Sequence, residues 1–415
     1  VMLNWDKAQV VFPFDPFVYD ARLLIVAQPT WFDTLAPFAF HKRSLGFETT
    51  LVATLPDVDT IRNEIAAWYF EGDPGVDHYV LLVGDHDLIP MGFVVKNDTS
   101  VWTDDVYGSI GPIDLFKEVH VGRLSVDDEA DLGRQLAKIM EYERAPAAGD
   151  YGRALLVAHK EGANGKYVGS HINVLNGNYP AITPSFIAAF GSVLIATNDA
   201  IRSVINEGVG VVAYRGHGST RTWADWNFWG EWWHANDANG LSNAMLPVVW
   251  HIACTNHNIR WEDPGTQKDS LGEVFMEAER GAVASYGATR TTSTTPNHSL
   301  NELLFAIVYG AGITNHAKAT ELAELFVDVS WPGHHNPWAY GLLGDPTMTI
   351  RTDAVPIETS FPLGFSLLEP VDLLSMEASN VFGEELVDGV VSLYKPSFLE
   401  GHPDELLGSW WLDET

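Results

Sequence analysis

"ARLLIVAQPTWFDTLAPFAFHKRSLGFETTLVATL" runs from Ala21 to Leu55, and its reading decides the fold class. The opening "ARLLIVAQ" is a near-continuous apolar run bounded by Pro29, as expected of a strand covered on both faces. "WFDTLAPFAFHKRSLG" reads as a helix closed by Gly46, and "FETTLVATL" returns to strand. Strand, helix and strand in this order form a βαβ unit, in which the helix carries the chain back to start a parallel neighbour. The pattern repeats: "VDTIRNEIAAWYFEG" is a helix, "HYVLLVGD" and "KEVHVGRLSV" are strands, and "DDEADLGRQLAKIMEYER" is an amphipathic helix with an acidic first turn.

After the linker-like "RAPAAGDYG", a second alternating series runs through "RALLVAHK", "AITPSFIAAFG", "SVLIAT", "DAIRSVINEG", "VGVVAYRGHG", "LPVVWHIAC" and "GAVASYGAT". It predicts a second α/β sheet. Ser270 with Glu273, and Ser299 with Glu302, fit capping boxes that would start two of its helices. From about Val355 the helical period disappears, and "LVDGVVSLYK" with "LLGSWWLDE" suggests a small β module. The expected division is a lead-in segment over 1–19, an N-terminal α/β subdomain over 20–150, a catalytic α/β subdomain over 151–352 and a partial β domain over 353–415.

Length fits two or three domains, since the chain of 415 residues exceeds the size at which one core keeps growing. Apolar residues at 46% and charged residues at 19% are those of a globular protein. The 55 acidic against 24 basic residues give a net charge of -31, which repels phosphate backbones and anionic lipid. Nucleic acid and membrane partners are not expected, and no apolar run is long enough for a membrane-spanning helix. The opening "VMLNWDKAQVVFPFDP" lacks a basic region followed by an apolar one, so no signal peptide is expected in that stretch. The single cysteine, Cys254, can form no internal disulfide.

Chemistry gathers at two strand ends. "VVAYRGHGST" ends a buried-looking strand on His217 between Gly216 and Gly218, and "PVVWHIACTN" delivers Cys254 just past another. In parallel sheets the carboxyl ends of strands present side chains on a rigid platform. A histidine beside a cysteine can take its proton and leave a nucleophilic thiolate. The glycines would let a carbonyl approach the backbone, and the amides of Gly218 and Cys254 could form an oxyanion hole. Taken singly, Cys254 also fits a buried small hydrophobe and His217 a loop residue or cap.

Several motifs in chain order carry a resemblance: "HYVLLVGDHDLIP", "DDVYGSIG", "KEVHVGRLS" with "IMEYER", "AYRGHGS", "IACTN", "GEVFMEAERGAVASYGATR" and "GLLGDPTM". Over roughly residues 20 to 350 the chain resembles the gingipain family of cysteine endopeptidases, which has a caspase-like fold. The resemblance implies an α/β three-layer sandwich of two parallel-rich sheets flanked by helices, followed by a partial immunoglobulin-like β module. It places His217 on the catalytic histidine, Cys254 on the nucleophile and Glu118 on the acid that supports the histidine in some members. It also implies a protein or peptide substrate, an inhibitory propeptide and a secreted or cell-surface location.

Specificity does not carry over. Where the family has a tryptophan over its first specificity pocket, this chain has "TRTTSTTPNHS", with Thr294 near that position. The acid of that pocket falls to Glu129 or Asp131. Arg290 is either an outward surface charge or a group that favours an acidic side chain, and Asn256-His257 replaces the family's Asn-Gly. No cofactor is required for catalysis. A structural calcium is implied by the resemblance alone, with Asp104 and Asp105 or Asp57 and Asp59 as oxygen donors, although no complete loop motif is present. His334 and His335 lack zinc-like spacing. The functional expectation is a cysteine endopeptidase. Its rivals are an inactive peptidase-like scaffold that binds another protein, and an acyl-transferring or amide-hydrolysing enzyme acting on a small substrate.

Overall fold

The computed structural model describes residues 19–352 apart from 56, 163–164 and 261–268, together with the backbone of 358–359, 378–379, 389–395 and 405–412. Strands β1 (Ala21–Ala27), β2 (Phe47–Ala53) and β3 (Asp77–Val83) are followed by the hairpin β4 (Gly92–Lys96) and β5 (Thr99–Thr103), then by β6 (His120–Leu124). The second half supplies β7 (Arg153–Ala158), β8 (Ser185–Phe190) and β9 (Val211–Arg215). After β9 come the short β10 (Gly218–Ser219), β11 (Thr222–Trp223) and β12 (Trp233–His234), then β13 (Val248–Ile252), β14 (Ala284–Ala288) and β15 (Tyr340–Leu343).

Helices α1 (Phe32–Ser44), α2 (Val58–Glu71) and α3 (Glu129–Arg144) belong to the first half, and α4 (Tyr167–Leu175), α5 (Asn198–Glu207), α6 (Leu271–Glu277), α7 (Thr294–Phe305) and α8 (His316–Ser330) to the second. Their starts follow from local chemistry. Asp57 accepts from the Thr60 amide at 2.9 Å to cap α2, and Asp128 accepts from Ala130 and Asp131 to cap α3. The Ser270–Glu273 capping box forms as expected. Ser299 and Glu302, by contrast, lie inside α7, which begins at Thr294 with Pro296 in its first turn, where a missing N–H costs nothing. "SVLIAT" is not a regular element either; Leu194 and Ile195 are exposed in a turn after β8.

The α/β class holds, but the two expected sheets are one. Ten strands run in the order β2-β1-β3-β6-β15-β14-β13-β9-β7-β8. The joint is β15, antiparallel to β14 over four rungs and parallel to β6 through a single rung, Leu343 with Arg123. A strand of four residues, "YGLL", returns the chain between the two blocks, so the blocks run in opposite directions and their connection has little sequence signal. Helices α1, α3 and α6 pack in one group and α4, α7 and α8 in another. Both faces of the sheet are covered, which is why β9 and β13 are buried at every residue. The immunoglobulin-like module expected over 353–415 lies outside the described residues except for the backbone of four short antiparallel strands.

Candidate active site

Three strands end level with one another. Ala158 of β7 pairs with Arg215 of β9, and Arg215 pairs with Ile252 of β13. From this one line the chain runs on to His159 and Glu161, to His217, and to Cys254. The sequence thus brings His217 and Cys254 to the same edge, each two residues past a common rung.

The loops that follow are braced. Tyr214 donates its hydroxyl to the His217 carbonyl at 2.7 Å, and the Ala224 amide donates to the same oxygen. A methyl group on Gly216 would stand 2.3 Å from that tyrosine hydroxyl. On Gly218 it would stand 2.5 Å from the Cys254 carbonyl oxygen, so glycine is what lets the histidine loop lie against the cysteine loop. The fully buried Asn256 crosslinks the two, donating to the carbonyls of Ser219 at 2.6 Å and Thr222 at 3.1 Å. Beneath them Trp223 stacks on Tyr214 at 4.4 Å, so part of the tryptophan-rich stretch packs under the loop, whereas Trp229 and Trp232 remain exposed. His257 fits where a glycine was expected because Gly272 and Gly287 leave room for its ring, which meets the Ser285 hydroxyl at 2.8 Å.

The imidazole of His217 faces a carboxylate that the sequence reading did not single out. Its Nε2 contacts Glu161, which also accepts from Lys166 at 2.6 Å. Those two hydrogen bonds, from Lys166 and from His217, draw Glu161 down to about 2. Tyr167 places its hydroxyl 3.2 Å from His217 Nε2, and His159 meets the ring edge-on at 4.8 Å between centroids. Burial, with His217 beside it, pushes His159 down to about 4. Glu118 takes no part. Its exposed carboxylate accepts from the Ile110 amide at 2.9 Å, just before β6, with β15, β14 and β13 between β6 and β9. The signal for Glu161 was its place, three residues beyond the end of β7, beside the histidine strand.

Cys254 is half-buried, and its Sγ lies 3.5 Å from the Thr292 amide rather than against the imidazole. Thr292 is itself held by Asn297 at 2.8 Å and donates to the Ala253 carbonyl. Thr255, next in the chain, has φ of +52°, a left-handed conformation that is costly for a β-branched residue. That turn leaves the Cys254 amide without a protein acceptor among the described residues.

The remaining expected residues are dispersed. Thr294 begins α7 and touches the site through its carbonyl, which accepts from Arg215 at 2.7 Å. Arg290 accepts the Thr255 amide on its carbonyl, but its side chain turns away to the Ser100 carbonyl on β5. Glu129 and Asp131 sit in the first turn of α3, held by Thr34 and Arg134, and neither meets the dyad. His334 and His335 stack on one another in a loop.

The acids expected to hold calcium do not converge. Both Asp104 oxygens bind Arg123 at 2.7 Å, Asp105 binds Lys117, and Asp57 caps α2. Among the described residues the cluster with ligand spacing is His159, Glu161 and His217, whose donor atoms lie within 4.8 Å of one another. That nitrogen-rich set is unlike the all-oxygen shell calcium prefers.

Gingipain R2 of Porphyromonas gingivalis is 26% identical over 374 residues, covering 82% of this chain and 47% of that protein. The chain therefore spans about half the length of that relative. Among solved structures, the Arg-specific cysteine proteinase gingipain R aligns with a TM-score of 0.75 at 20% identity, covering 97% of this chain and 92% of the other. A complex of the Porphyromonas gingivalis RgpB pro- and mature domains aligns at 0.73 with 20% identity, covering 95% and 91%. These structural likenesses establish the fold. The model of peptidase family C25 matches residues 18–351, from the residues before β1 to those after β15, and the chain belongs to that family.

Proposed function

We propose that the protein is a cysteine endopeptidase. One observation carries the reading: His217 and Cys254 leave the sheet two residues beyond the same rung, with an ionised carboxylate from the next strand against the imidazole. The Cys254 thiolate attacks a peptide carbonyl, and a carbon–sulfur bond forms. The oxyanion is received by the amides of Gly218 and Cys254. As the carbon–nitrogen bond breaks, His217 gives its proton to the departing amine, leaving a thioester. Water then attacks, His217 takes its proton, and the acid product leaves as sulfur is released as thiolate. Glu161 keeps the ring oriented throughout, and Thr292 offers its amide to the sulfur.

The imidazole and thiol are not hydrogen-bonded to each other, and in this reading the substrate carbonyl lies between them. A secreted or surface location and an inhibitory propeptide are part of the same proposal, supported by family membership. The test uses a mixed peptide library with iodoacetamide labelling of the intact chain. Cys254→Ala should abolish cleavage, and His217→Ala should lower it by about 10²–10⁴-fold while slowing the labelling of Cys254. A wild-type chain that cuts no peptide and whose cysteine labels at the same rate with and without His217 would be a binding scaffold instead. A chain that acts on small amides and no peptides would be the third class.

A further inference from the structure

Arg215 lies two residues before His217 and is 1% exposed. A buried cation normally has a carboxylate beside it, because desolvation of an unpaired charge is expensive. This one has none among the described residues. Its Nε donates to His298 Nδ1 at 3.2 Å, and its terminal nitrogens donate to the carbonyls of Ile252 at 3.0 Å and Thr294 at 2.7 Å. The remaining N–H groups of the fork have no acceptor among the described residues. Burial accordingly draws the guanidinium below its usual value.

The surroundings tie this charge to the reacting centre. Ile252 is two residues before Cys254, and Thr294 is two residues after Thr292, whose amide touches Sγ. The guanidinium stacks over the Tyr167 ring at 4.8 Å, and the hydroxyl of the same ring is 3.2 Å from His217 Nε2. Other cations nearby are neutralised or turned away. Lys166 pairs with Glu161, Lys160 with Asp225, and Arg290 reaches Ser100.

The acceptor on Nε is also a weak one. Burial and the adjacent Arg215 push His298 down to about 4, so it is a neutral imidazole at ordinary pH, on the half-buried first turns of α7. A carboxylate forms a charge-assisted, bidentate contact with a guanidinium and outcompetes a neutral ring for it.

We propose that Arg215 is a specificity residue that binds a substrate carboxylate, so that the protein cleaves after aspartate or glutamate. The inference rests on the peptidase reading, in which the attacked carbonyl sits at Cys254 and its own side chain is the one nearest Arg215. A lysine or arginine entering the same space would meet like charge.

The test is a set of peptides identical except before the scissile bond, carrying Asp, Glu, Asn, Gln, Leu or Arg, together with mass-spectrometric reading of cleavage sites in a proteome-derived library. The expected result is kcat/KM for Asp or Glu about 10²-fold or more above the matching amide, because a site built for an anion rejects the isostere that lacks the charge. In Arg215→Gln the ratio of acid to amide collapses towards one, whereas a purely structural arginine would lower both alike. Arg215→Lys, which keeps the charge, should retain a reduced preference if the glutamine variant does not fold. Cleavage after basic or apolar residues without acid preference overturns this inference alone. No cleavage of any peptide overturns the peptidase reading and the inference with it.

Discussion

The Glu161 carboxylate is held down to about 2 by its hydrogen bonds from Lys166 and His217, so it stays charged from mildly acidic pH upward. A fixed anion against one ring nitrogen orients the imidazole for the proton it takes from the thiol. Glu161→Gln keeps the shape and removes the charge. Peptidase kcat should fall about 10–10²-fold with KM little changed, while Glu118→Gln, whose carboxylate serves the Ile110 amide, should match wild type in steady-state assays. Equal losses in the two variants would contradict this assignment. His217 and Cys254 were legible because each ends a continuous apolar run, and glycines flank the histidine. Glu161 was not, because "AHKEG" has no such marking, and only the pairing of β7 with β9 gives it meaning.

At the scale of elements, two loops that are distant in sequence behave as one because a single side chain spans them. Asn256 donates to Ser219 and Thr222, and its Oδ1 points at Gly218 without a protein donor among the described residues. Asn256→Ala would leave two loop carbonyls without their donor and free the histidine loop. A loss of about 2 kcal/mol in urea unfolding is expected. Peptide cleavage should fall further than that loss explains, because the chain remains folded at assay temperature while His217 and Cys254 lose their spacing. A variant with wild-type kcat would show that the crosslink is structural only.

Element identity followed from periodicity for β1, β3, β9 and β13, which are buried on both faces. Boundaries followed less well. Ser299 and Glu302 have capping-box spacing, yet the same spacing occurs on one face inside a helix, and Pro296 lies in the true first turn. "SVLIAT" has the composition of a strand but follows the edge strand β8, where no neighbour remains to pair with it.

Across the whole molecule, the two halves read as separate sheets because the strand that joins them is four residues long and meets β6 at one rung. Much of the joint is polar instead. Lys117 binds Asp105 and Glu324, Tyr286 of β14 donates to Glu324, and His120 of β6 meets Glu321 of α8. Three carboxylates sit where their charged form is disfavoured. Burial, with like charge from Asp269, Glu273 and Asp127, pushes Glu277 up to about 9. Desolvation and the neighbouring Asp85 raise Asp127, which stands at the surface, to about 7. Burial raises Glu324 to about 8 despite the adjacent Lys117, with Asp105 and Glu321 adding like charge.

Each of these groups holds its proton more tightly folded than unfolded. The stability they contribute is therefore complete below the unfolded carboxylate value and is lost as pH rises through about 7 to 9. Glu143 has the opposite sign. Despite burial, Lys42 and His41 hold it down to about 2, so its contribution is present above the ordinary carboxylate value and is lost as pH falls towards about 2. Neutral histidines oppose the acids: burial holds His159 and His298 at about 4, so what they contribute is complete only above the unfolded imidazole value. The melting temperature at constant ionic strength should therefore be highest near about pH 6.5 and decline to about pH 8. Glu277→Gln, which keeps the neutral form at all pH values, should flatten the alkaline part of that decline. A melting temperature that rises between about pH 7 and 8 would mean that these acids are ionised and paired in the folded chain.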